Sequence, residues 1–175
     1  MKNFARFSFL SFVMIASMTI TVPITMLGQS KLLRTDRLIT ESEVIVLGKV
    51  EKLSSEWTQN RERIQTHVTV SVDQTIKGTV PGNSITVIIP GGEVDGVGEW
   101  YSHSVNFQKD EDVVVFAKKE RDGRYQITGG ETGKFSVQKD VRTGARTIPN
   151  IGTLEAFTAK IKDVMKYQQN ADSRN

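Results

Sequence analysis

The sequence predicts a mainly β protein: a small antiparallel Greek-key barrel with a short N-terminal helix and a C-terminal amphipathic helix. Three observations carry this. Residues 64 to 72 alternate strictly, with Ile64, Thr66, Val68, Val70 and Val72 on one side and Gln65, His67, Thr69 and Ser71 on the other. A period of two over that length is a strand with one wet face. Further short β-branched runs are punctuated by Gly and Pro, as in a compact all-β unit. After the last strand the tail changes to a helical period.

The chain opens on Lys2 and Arg6, then carries no charge until Lys31. A basic start, an apolar run and the small residues Gly28-Gln29-Ser30 read as a secretory signal peptide over 1–30, cleaved after Ser30. The alternative is a retained anchor, since 7–27 is uncharged and long enough to span a bilayer. Against it stand Pro23 and six Ser or Thr at 8, 11, 17, 19, 21 and 25. Either topology leaves the body outside the cytoplasm: secreted, periplasmic or at the cell surface. Contact with a membrane is expected only if the segment is kept.

Cleavage removes two of the 23 Lys and Arg, against 20 Asp and Glu, and leaves the mature chain near +1. The pI of about 9.2 therefore argues for no nucleic-acid partner, because near-balanced charge exerts no long-range pull on phosphate. No cysteine is present. That excludes disulfides, thiolate metal sites and thiol nucleophiles, and makes the exported body rely on packing alone. A body over 31–170, followed by a frayed tail at 171–175, is one domain's worth of chain.

Within it, Leu32, Leu33, Leu38 and Ile39 suggest a short helix over Lys31–Ser42, capped by Thr35 or Asp36. Val44–Val50 is apolar on both faces, as in a doubly covered strand. The long alternating strand spans roughly 63–76. Ile85–Ile89 follows the turn residues Pro81-Gly82-Asn83 and stops at Pro90. Val113–Ala117 is a buried strand, and Asp122-Gly123 marks a hairpin into Tyr125–Thr128. Phe135–Val137 completes a count of about six, and Val141 and Ile148 lie on short strands flanking a turn at Thr143-Gly144. Leu154, Phe157, Ile161, Val164 and Met165 then give an amphipathic helix over 152–169, with Thr153 as its cap.

Residues 91–111 are the least regular stretch. Gly91, Gly92, Gly96 and Gly98 surround Glu93, Asp95 and Glu99, and Trp100-Tyr101 follow. A long irregular loop in a compact domain is often functional. Gly91, Gly92, Glu93, Asp95, Trp100 and Tyr101 are thus the candidate partner-binding residues. Trp100 is a binding platform or a lid over the core. The loop carboxylates are solvated, hold a cation loosely, or act as an acid/base pair in a hydrolase.

Other chemistry is poorly supported. His67 and His103 are the only histidines and have no ligand spacing between them, so no metal or cofactor is expected. No Gly-x-Ser-x-Gly elbow occurs. Thr128–Lys134 superficially suggests a phosphate loop, but Phe135 stands where Ser or Thr is required and a strand follows in place of a helix. It is expected to be a strand-connecting turn. Trp57 is expected in the loop between the first two strands.

The order Ser42–Val50, Ser54–Trp57, Ile64–Val70, Ile76-Lys77-Gly78, Pro90-Gly91-Gly92, Val113–Phe116 and Gly130–Phe135 resembles a family of small exported bacterial proteins without assigned activity. Val44–Val50 and Ile64–Gly78 also resemble the netrin-like module of the tissue inhibitors of metalloproteinases. That likeness implies an OB-like barrel, and an inhibitor or accessory partner of an exported metalloprotease as an alternative function. The cysteine with which those inhibitors chelate zinc has no counterpart here. The leading expectation is a non-enzymatic exported domain that binds a protein or peptide partner through the loop 91–107.

Overall fold

The computed structural model describes residues 35–173. The signal or anchor segment inferred over 1–30, and the last two residues, lie outside them. A helix α1 over 35–41 leads into ten strands. These are β1 (Val44–Trp57), β2 (Ile64–Lys77), β3 (Ser84–Pro90), β4 (Gly92–Val94), β5 (Val97–Glu99), β6 (Asp112–Lys119), β7 (Tyr125–Ile127), β8 (Lys134–Lys139), β9 (Arg146–Ile148) and β10 (Gly152–Thr153). Helix α2 (Leu154–Asp172) closes the chain.

Five strands form a closed barrel in the order β1-β2-β3-β7-β6, with β6 returning to β1. This is the five-stranded Greek key of the OB type. One contact departs from the expected antiparallel pattern. β3 and β7 run parallel, through Val87↔Tyr125 and Ile88↔Gln126. A strand that returns by a hairpin from β6 can meet β3 only in the same direction.

The alternation in β2 holds as expected. Ile64, Thr66, Val68 and Val70 are buried and Val72 packs against the barrel core. Their neighbours Gln65, His67, Thr69 and Ser71 lie on the outer face. The doubly apolar run at the start of β1 serves two cores. Val44, Val46 and Val50 point into the barrel with Val68, Val70, Val87, Val113 and Val115. Ile45 and Leu47 point outward, beneath Leu38 and Ile39 of α1 and Leu154, Phe157 and Ile161 of α2. Phe116, Phe135 and Phe157 join this second core with ring centroids 5.0 to 6.3 Å apart. Burial of each such side chain contributes about 1.5–3 kcal/mol, which is how a cysteine-free barrel holds its helices.

Several boundaries differ from expectation. β1 does not stop at Val50 but runs through Ser54-Ser55 to Trp57, because its register with β2 continues to Trp57↔Ile64. Trp57 is therefore a strand residue. The stretch 91–111 is not wholly irregular, since β4 and β5 form a hairpin. Its turn is Asp95-Gly96, both at positive φ (52° and 78°), the pairing that favours a two-residue hairpin. Residues 152–153 pair with β9, so α2 starts at Leu154, capped by the Thr153 hydroxyl accepting from the Ala156 N–H at 3.2 Å. The helix also continues past 169 and takes in Ala171 from the expected tail. Residues 130–133 form one 3-10 turn followed directly by β8, as a strand connection.

Candidate functional site

The chain leaves β3 at Pro90 and crosses the open end of the barrel at Gly91-Gly92. Two features require glycine there. Gly91 and Gly92 have φ of +89° and +135°, a region closed to most side chains. A Cβ on Gly92 would also lie 2.4 Å from both Ser55 Oγ and Thr66 Oγ1. Gly91 is buried and fixed from both sides: its N–H donates to the Ile64 carbonyl at 2.8 Å and its carbonyl accepts from the Thr66 hydroxyl at 2.7 Å. These two glycines thus serve close packing, rather than a mobile loop.

The hairpin they lead into is pinned by Glu99. One carboxylate oxygen accepts the Ile64 N–H at 2.6 Å. The other accepts from the Arg63 guanidinium at 3.1 Å and from the Tyr101 hydroxyl. Arg63 also donates to the Tyr101 oxygen at 2.6 Å and sits 5.9 Å from that ring's centroid. The hydrogen bond from Tyr101, then that from Ile64, hold the Glu99 carboxyl below its ordinary range. Glu99, expected with Glu93 and Asp95 as solvated, as a loose cation site or as part of an acid/base pair, is instead an anchor for Ile64, Arg63 and Tyr101. Arg63 and Ile64 lie 35 to 38 residues from Glu99 and Tyr101, and no local signal joins them.

With its base fixed, the hairpin displays Trp100. The residue is 77% exposed, and its ring lies against Gly98, where a Cβ would come within 1.9 Å of it. Trp100 is therefore no lid over the core. Val105 and Phe107, further along the same segment, fill that place and are buried in the barrel core. Glu93 and Asp95 sit on the exposed part of the hairpin.

Four of the six candidate residues, Gly91, Gly92, Trp100 and Tyr101, line one cavity of about 410 Å³, together with Leu53 and Ser55 of β1 and Val105, Asn106 and Phe107. Glu93 and Asp95 are not in its wall. A wider groove of about 810 Å³ lies on the far side of a shared ridge, Pro90, Tyr101 and Ser104, across the outer face of β2 and β3. Arg63, Arg121, Arg124, Gln65, Gln126 and Ile88 contribute to it. The strand 2–3 face between these loops is where OB barrels commonly take ligands.

Beside this groove, His67 Nε2 stands 2.7 Å from Glu56 Oε1. Gln65 joins both, at 3.1 Å to each. Hydrogen bonding from Gln65, and next the charge of His67, lower the Glu56 pKa. Asp122 is lowered by its hydrogen bond from Arg124. His103 is exposed, 3.8 Å from Glu131. Among the described residues, no group of three His, Asp or Glu comes together that could hold a metal ion.

The far end of the segment is braced separately. Lys134 Nζ reaches Glu111 at 2.5 Å, the Asn106 carbonyl at 2.9 Å and Ser136 Oγ at 3.1 Å. Burial pushes the Glu111 carboxyl up, but the bonds from Lys134 and Ser136 outweigh it and the net pKa is lowered. Ser136 Oγ also donates to Glu111 at 2.6 Å, so these three side chains form a strut that holds residues 106–111.

Comparison with protein-family models and with curated proteins finds no match. The functional reading accordingly rests on the site itself.

Proposed function

We propose that this chain is an exported, non-enzymatic domain that binds a protein or peptide partner through the surface built by residues 91–107. The observation that carries the reading is the exposed Trp100, its ring seated against Gly98. An aromatic ring held against backbone, with its other face free, offers large contact area at little entropic cost, and such residues dominate binding energies. The cavity beside it gives a partner side chain somewhere to go.

The carboxylates argue for recognition over turnover. A general acid needs its pKa raised toward the working pH, whereas Glu56, Glu99 and Asp122 are all lowered by their hydrogen-bond partners. Glu93 and Asp95 are exposed on the hairpin, and neither lines the cavity beside it. Under this reading the double substitution Glu93→Gln, Asp95→Asn abolishes no hydrolytic activity, and a turnover lost with it would favour a hydrolase.

Export is the other half of the proposal and rests on the charge-free run between Arg6 and Lys31. The mature N-terminus is expected between residues 26 and 31. N-terminal sequencing of exported protein tests it, and full-length chain recovered from membranes would show an anchor. The binding proposal is tested by capture: immobilised protein should retain a partner from exported material, and Trp100→Ala should release it.

A further inference from the structure

β1 has a half-empty edge. Its first part, Val44–Lys49, is flanked by β2 on one side and β6 on the other. Past Val50 only β2 pairs with it, and β4 packs across it at Ser55 without pairing. The chain leading into β6 makes its last bonds to β1 at Val50, whose N–H reaches Glu111 and whose carbonyl accepts from Asp110. Among the described residues no strand pairs with β1 on that side beyond this point.

The direction of the free backbone groups follows from the ladder. The Thr58 N–H bonds the Arg63 carbonyl at 2.8 Å, so 58 and 63 are a hydrogen-bonded pair. Ile64 turns its own N–H and carbonyl away from β1, to Glu99 and to Gly91. Bonded and non-bonded pairs alternate in an antiparallel ladder, and the register is regular from Lys52↔Thr69 to Trp57↔Ile64. Leu53, Ser55 and Trp57 are therefore the residues whose N–H and C=O groups point out of the ladder, along the open edge. A bulge between Val50 and Lys52 precedes this edge, but from Leu53 to Trp57 no proline and no further bulge interrupts it, though edges are usually guarded in such ways.

The cavity beside Trp100 lies along this edge. Leu53 and Ser55 form one wall, and Val105, Asn106 and Phe107 the other. Charge marks the occupant further. From residue 78 to residue 108 the only Asp, Glu, Lys or Arg are Glu93, Asp95 and Glu99. Glu99 is spent on Arg63 and Tyr101, while Glu93 and Asp95 are exposed on the hairpin that borders the cavity.

We infer that the partner is an extended peptide segment that adds to β1 as a strand along Leu53, Ser55 and Trp57. An apolar side chain lies in the cavity by Trp100 and a Lys or Arg meets the Glu93–Asp95 hairpin. The inference rests on the binding-domain reading above and specifies its partner. Strand addition draws affinity from main-chain hydrogen bonds and selects alternate side chains through pockets.

The test is amide exchange by NMR on the ¹⁵N-labelled protein, with and without a synthetic heptapeptide that alternates valine and threonine and carries a lysine at each end. The expected result is exchange slowed about tenfold or more at Leu53, Ser55 and Trp57, with a shift of the Trp100 indole resonance. Two N-methylated versions set the phase. Methylation of the residues that face the edge should weaken binding about tenfold, and methylation of the alternate set should not. Equal effects of the two would overturn strand addition. A shifted Trp100 indole with unchanged exchange at the three amides would overturn it too, and leave the binding-domain reading standing. A peptide that perturbs nothing overturns the inference for this peptide class, and the Trp100→Ala capture then decides the broader reading alone. Protection that appears without peptide and grows with protein concentration would give the edge to a second copy and overturn the peptide assignment.

Discussion

Gly98 lies directly beneath the indole of Trp100, so close that a methyl group at 98 would overlap the ring carbons. The pair makes a platform: the glycine has no side chain to intervene, and the ring rests on main chain while its other face stays exposed. Gly98→Ala should displace the ring without touching either core. The expected outcome is altered tryptophan fluorescence and weaker partner capture, with a melting temperature within about 3 °C of the parent. Unaltered fluorescence would mean that the ring does not rest there.

The barrel itself is tested at two adjacent residues of β2. Val70 is fully buried and Ser71 lies on the outer face. Val70→Asp leaves an unpaired charge inside the barrel and should cost about 3–5 kcal/mol, whereas Ser71→Asp should change stability by under about 0.5 kcal/mol. Urea denaturation of both variants checks this, and equal losses would contradict the register.

Those two residues also mark what is legible in a sequence. Side-chain alternation in β2 is a local property, and so is the dual apolar character of Val44–Leu47, which anticipates two cores. The five-strand closure is less local. The β3–β7 contact consists of two residue pairs, too short to leave a pattern. Asp95-Gly96 between Val94 and Val97 is a hairpin signal in plain view, masked by the surrounding glycines that suggest an irregular loop. The platform was half legible. Trp100 and Tyr101 stand out by composition, but the Glu99 anchor that fixes them depends on Arg63 and Ile64, which only the folded barrel brings near.

That anchor has a pH signature. The Glu99 carboxyl is held below its ordinary range by the Tyr101 hydroxyl, the Ile64 N–H and Arg63. A depressed pKa contributes stability that is fully present above the unfolded value, about 4.3, and is lost as pH falls through the folded value. The hairpin should therefore loosen below about pH 4 and be unaffected between neutral pH and that point. Glu99→Gln should remove this part of the acid dependence and weaken partner capture at neutral pH. The melting temperature followed from pH 7 down to pH 3 tests it. A parent and variant with parallel profiles would show that Glu99 carries no such linkage.

Whether Trp100 is a binding residue with no structural duty is tested most directly by one paired measurement. Parent protein and Trp100→Ala are immobilised side by side, exposed to the same exported proteins, and melted in parallel. The partner retained by the parent should be lost or greatly reduced on the variant, while the two melting temperatures agree within about 3 °C. Equal capture by both, or a variant that melts far below the parent, would contradict it.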